Sequence, residues 1–201
     1  MGGKRLKYFD IAKGIGILCV IAGHLGIAGI NQIVFTFHMP LFFIISGYFI
    51  SDKDDIKAYI KKKVWQLLTP YVVTSLTVIL GAVVFHVLDT GSADGILEVA
   101  IGWMKAAAYG SGTVYNPTLI EVGQIGALWF LLALFLACIE VKFLKDKKYG
   151  GLIILFLAYL AWKSGAVVWF PFSIQSGLAA ALFVYGGVVL KRKAVFDKDI
   201  P

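Results

Sequence analysis

Three residues with side chains able to move a proton or hold a phosphate sit inside apolar runs of this chain: Lys13, His24 and His38. The first two fall in KYFDIAKGIGILCVIAGH, Lys7 to His24, and the third in FHMPLFFIISGYF, Phe37 to Phe49. A fully charged side chain at the centre of a bilayer costs about 2.5–3.5 kcal/mol on insertion scales, so an ionisable residue in such a run is a functional candidate by default. Imidazole titrates near neutrality and can give or take a proton without leaving its pocket. A general base or a proton relay is one reading of each histidine. A hydrogen bond to a carbonyl between packed helices is the other.

Spacing ties the first two together. Eleven residues of helix separate Lys13 from His24, which brings them within about 20° of one face and about three turns apart. A cation below an imidazole suits an anionic or phosphorylated ligand; a lysine snorkelling to the headgroups reads the same way. Asp10 lies three residues before Lys13, a spacing that allows a pair. With a first span ending near residue 29 and a second beginning near 33, His24 and His38 lie at one depth, each about 7–8 Å inside the outer boundary.

The elements that must position these groups follow from composition. Hydrophobic residues are 59% of the 201, charged residues 15%, and the mean hydropathy is +0.83. A soluble domain carries about 45–50% apolar and about 25% charged residues. The expectation is an all-α, polytopic transmembrane helix bundle in one domain, 1–201. Its six spans fall at about 9–29, 33–50, 65–88, 126–143, 151–169 and 173–190, each near the length needed to cross about 30 Å of hydrocarbon. All basic residues except Lys105 and Lys163 fall in the N-terminus, the tail and alternate connections. The positive-inside rule then puts both termini in the cytoplasm. The net charge of +7 therefore reports topology, and no nucleic-acid partner is expected.

The first run is too long for a cleavable signal peptide and lacks its small-residue cleavage site. No Cys/His spacing suggests a disulfide framework or a metal site, and Cys19 and Cys138 read as inert buried thiols. The polar link 51–63 places Asp52 near a helix start, and Pro70 is expected to kink the third span. Residues 89–125 form the longest non-spanning segment, on the outer face. Within it 96–108 reads as an interfacial helix or re-entrant piece, and Trp103, Tyr109 and Tyr115 suit a docked lid. Ser46-Gly47 allows close helix approach. Trp129 marks an interface and His86 reads as structural; Glu121 and Glu140 read as interfacial and solvated, with a functional role as the alternative for either.

With these motifs in view, the chain resembles the integral-membrane acyltransferase family called acyltransferase type 3. KYFDIAKGIGILCVIAGH is similar to the family's first helix, with a basic residue and, further on, its functional histidine, here Lys13 and His24. FHMPLFFIISGYF resembles the second-helix signature, KVWQLLTPY (Lys63 to Tyr71) the start of the third helix, and GALWFLLALF a later tryptophan motif. Lysine stands where the first motif often has arginine, and Lys63 with Gln66 where two arginines are common. The family has more spans, so a short or truncated member is expected. The resemblance implies an acyl group, commonly acetyl, passing from acetyl-CoA or another acyl-CoA to a hydroxyl of a cell-envelope carbohydrate or glycolipid, with no metal. It implies His24, His38 and Asp10 as catalytic residues, His24 as general base or acyl relay. Lys13, Lys62 and Lys63 would hold the CoA phosphates. The implied setting is the cytoplasmic membrane with its lipids, with a homo-oligomer expected if a second copy completes the site. A proton- or anion-coupled transporter and an inactive paralogue are the alternative readings.

Overall fold

A computed structural model describes residues 7–25, 28–113 and 120–195. Lys4, Arg5, Tyr115 and Lys198 lie outside them. Among the described residues eight α-helices follow one another: α1 Lys7–Gly23, α2 Ala28–Tyr48, α3 Ile56–Lys63, α4 Thr69–Thr90, α5 Ile96–Tyr109, α6 Trp129–Leu144, α7 Gly150–Gly165 and α8 Ile174–Arg192. They divide into two compact units. One holds the described residues up to Ile50 and from Phe183, the other Ser51–Leu182, so the boundary falls within α8.

Between helices in lipid there is little hydrophobic drive, and close packing through small residues takes its place. The first unit shows this. A Cβ on Gly47 of α2 would strike the backbone carbonyl of Val184, and one on Gly187 would strike that of Ile44. The two backbones therefore touch where Ser46-Gly47 predicts close approach. Beside this crossing Phe9, Ile45 and Tyr48 form a buried cluster, with Ala12, Leu41 and Leu190 against it. Lys191 donates to the carbonyl of Ile50 (2.9 Å), two residues beyond the end of α2.

In the second unit, helix runs without a break from Ile56 to Thr90. It starts at Asp55, whose carboxylate accepts from the Lys57 amide (3.2 Å) as an N-cap. Asp52 lies three residues before this cap, near the helix start as expected, and its carboxylate is taken by the buried Lys145 ammonium, which also holds Asp146 (2.8 Å). Pro70 is accommodated by one π-helical turn, Val64–Leu68, in which the Thr69 amide bonds back to the Val64 carbonyl. The wider turn shifts the hydrogen-bond register just before a residue that has no N–H to give.

Glycines in the left-handed conformation at Gly91 and Gly95 turn the chain from α4 into α5. Tyr71, in the first turn of α4, donates to the carbonyl of Ala107 near the end of α5 (2.5 Å), so the two helices run antiparallel. The far end of α5 is pinned to the α7–α8 connection, with the Phe172 amide on Ala108 and the Ser173 amide on Tyr109, both 3.0 Å.

Four stretches among the described residues are long and apolar enough to cross a membrane: 29–48, 56–90, 126–144 and 174–192. Helix α1 has 17 residues and α7 has 16. The expected span 9–29 is cut short because α1 stops at Gly23, and 151–169 because α7 stops at Gly165.

Candidate active site

His24 and His38 belong to the first unit and meet around one aromatic ring. Phe35 lies edge-on to His24 with ring centroids 6.0 Å apart, and tilted against His38 at 5.4 Å. The geometry departs from two imidazoles standing five residues inside paired helices. His24 lies in the turn just beyond α1, and His38 lies ten residues, about 15 Å of rise, into α2.

Local backbone chemistry explains the early end of α1. Its last carbonyls have no following amides to accept from. The amides of His24 and Leu25 turn inward onto Ile21 (3.0 Å) and Ala22 (3.2 Å), tightening the last turn. The carbonyl of Val20 is taken by the imidazole itself, through Nδ1 of His24 at 2.8 Å. A Cβ at Gly23 would run into the Phe35 ring, so this glycine lets the aromatic come against the helix end.

That contact fixes the tautomer. A carbonyl oxygen only accepts, so the neutral His24 ring carries its proton on Nδ1 and leaves a lone pair on Nε2. His38 is held the same way, by Nδ1 to the carbonyl of Val34 at 2.7 Å. Access separates the two. His38 is buried at 4% exposure, whereas His24 is exposed, and among the described residues nothing hydrogen-bonds its Nε2. Of the pair, His24 has the geometry of a base that an incoming hydroxyl can reach.

Lys13 stands near the opposite end of α1, about 16 Å of helix rise from His24, with its ammonium over the Phe49 ring at 5.2 Å. Asp10 is exposed one turn earlier. Lys62 and Lys63 belong to the second unit. Lys62 is exposed. Lys63 places its ammonium 5.6 Å from the centre of the Tyr59 ring, and Lys142 of α6 does the same at 5.5 Å while donating to the carbonyl of Ser51 (2.6 Å). A tyrosine that is only 3% exposed thus gathers two cations, each attracted by the negative face of the ring.

Two of these partners escaped the sequence reading. Phe35 precedes His38 by three residues, a helical spacing that was there to be seen, but its contact with His24 needed the fold. Tyr59 and Lys63 are likewise four apart on α3, whereas Lys142 arrives from α6. Glu140 is a correction: both its carboxylate oxygens are enclosed and have no hydrogen-bond partner, where a solvated position was expected. His86 meets its structural expectation, with Nε2 at 2.7 Å from the Asp94 carbonyl in the α4–α5 turn.

Long apolar helices of this kind make the protein a membrane protein. The chain belongs to the acyltransferase 3 family: residues 6–199 match the model of that family, described as an acyltransferase domain. It is an acyltransferase enzyme. No curated protein and no solved structure matches it.

Proposed function

We propose that the chain moves an acyl group, in the first instance acetyl from acetyl-CoA, to a hydroxyl of a cell-envelope carbohydrate or glycolipid, with His24 as general base. The observation that carries this reading is the exposed Nε2 of His24, which holds the lone pair of the neutral ring because Nδ1 donates to the Val20 carbonyl (2.8 Å). Nε2 takes the acceptor hydroxyl proton as its oxygen attacks the thioester carbonyl. The C–S bond then breaks, and the departing CoA sulfur takes the proton from the imidazolium. His38 stays buried and fixes the Phe35 ring against which His24 rests.

Lys13 holds a CoA phosphate on this reading, three turns from the base, a separation suited to an extended pantetheine arm. Asp10 moderates that charge from one turn away. Lys62 and Lys63 are candidate donor-binding cations on the family resemblance alone. The reading includes six spans in the cytoplasmic membrane, with the basic connections and both termini on the CoA side.

The test is ester-linked acetate released by mild alkali from envelope glycans of cells expressing the chain, against cells expressing His24→Ala. Acetate with the first and none with the second is the expected result. Equal acetate from both removes His24 from the chemistry, and none from either removes this acceptor class.

A further inference from the structure

Glu140 is not used by the acyl-transfer reading, yet it is the most costly side chain in the second unit to leave as it stands. A carboxyl group enclosed without a donor forfeits its hydration and receives nothing in return. Both of its oxygens are in that condition. Its stem lines a half-open cavity of about 380 Å³ whose walls include Ile60 of α3, Phe135, Leu136 and Ile139 of α6, and Leu178 of α8. The wall between α6 and α8 is set by a close approach: a Cβ on Gly177 would collide with the Leu136 side chain. Leu178 is thereby held opposite Leu136. The result is an apolar slot with one ionisable group on its wall, too small for a helix and large enough for an alkyl chain.

We propose that this cavity binds an amphiphile with an alkyl body and a primary ammonium head, the head pairing with Glu140. Charge complementarity selects that occupant. Alkyl groups fill the apolar walls, and an ammonium brings both donors and positive charge to a carboxylate that has neither. Three rotatable bonds let the Glu140 carboxylate swing from its enclosed position into the void when such a head arrives. A fatty acid would set two carboxylates together, which is unfavourable. An alcohol would donate one neutral hydrogen bond, weaker than the charge-assisted one. A free alkylamine and an aminophospholipid headgroup share this chemistry.

The experiment is equilibrium dialysis of labelled hexylammonium against the full chain in phosphatidylcholine nanodiscs, with empty nanodiscs as blank. Saturable binding of one equivalent is expected, with hexanol displacing it at least about tenfold less well and hexanoate not at all. Glu140→Gln should weaken binding at least about tenfold, and Leu178→Trp should abolish it by filling the slot. The wild-type competition series stands even if either variant fails to fold. No saturable binding, or equal displacement by hexanol and hexanoate, overturns the proposal; so does unchanged binding in folded Glu140→Gln. With binding established, displacement by added phosphatidylethanolamine assigns the site to a lipid headgroup, and lack of displacement assigns it to a free amine. The readout is independent of acyl transfer, so this proposal and the acyl-transfer reading stand or fall separately.

Discussion

Two clusters in the molecule put ionisable groups against an aromatic ring, and they are built in opposite ways. Around Phe35 the imidazoles of His24 and His38 are each tied to a carbonyl four residues earlier on their own chain segment. Around Tyr59 the cations come from α3 and from α6, far apart in sequence, and Lys142 also reaches Ser51. The first cluster is set by local geometry and leaves one nitrogen open for chemistry. The second joins two elements, and each of its cations has a partner. A group held by its own backbone can keep a reactive atom exposed, whereas Lys142, recruited across the fold, is spent on holding the fold together.

The largest effect that would break this contrast is on rate. His24→Ala should lower acetyl transfer by about 10²–10⁴-fold, the usual contribution of a positioned base, with the protein still folded by circular dichroism. A loss of helix content in place of a loss of rate would make His24 structural and place it with the second cluster.

The next effect is on packing, and it uses two neighbouring glycines. Gly187→Ala should cost about 3 kcal/mol or prevent folding, because its Cβ would strike the Ile44 carbonyl and backbone cannot yield cheaply. Gly186 has open space around it, so Gly186→Ala should be neutral or gain up to about 1 kcal/mol from helix propensity. Thermal unfolding in detergent separates the two outcomes; equal melting temperatures would deny the close crossing.

Lys145 tests the tying role of lysines in the second unit. Its side chain is 2% exposed, while its partners Asp52 and Asp146 are mostly exposed, at 63% and 65%. Lys145→Met should therefore cost only about 2 kcal/mol, the scale of a charged hydrogen bond rather than of a fully buried pair. Burial alone would lower the Lys145 pKa, but hydrogen bonds to Asp146 and Asp52 outweigh it and leave it raised. A raised lysine stabilises the fold fully below its unfolded value of about 10.4 and loses that contribution as pH climbs through the folded value. The difference in stability between wild type and Lys145→Met should be constant from pH 7 to about 10 and shrink above. A difference that shrinks as pH falls from about 10 to 7, where both partners stay charged, contradicts the pairing.

The smallest effect concerns Tyr59. Its enclosed hydroxyl has only the Cys138 thiol, a weak partner, beside it, so Tyr59→Phe should change the melting point by the equivalent of no more than about 1 kcal/mol. Tyr59→Leu removes the ring that attracts Lys63 and Lys142 and should lower it. Matching effects from the two variants would show that the hydroxyl, not the ring, organises the cluster.

The sequence alone determined the helical membrane character, since a chain with 59% hydrophobic residues in runs of helical length has few other ways to satisfy its backbone in lipid. It also marked out candidates: Lys13, His24 and His38 stood out because apolar runs rarely carry such groups, and Ser46-Gly47 because small residues permit backbone contact. Tertiary structure decided the rest. The stop of α1 at Gly23, the pairing of Asp52 with Lys145, the π turn that absorbs Pro70 and the enclosure of Glu140 each depend on where an unpaired backbone or side-chain group finds its partner, or finds none. Periodicity locates an apolar helix, but it does not say which carbonyl an imidazole will take or which glycine another backbone will touch. The first is settled within one turn, since each imidazole takes the carbonyl four residues before it; the second is settled by contacts between residues far apart in the chain, as where Gly47 meets the Val184 backbone.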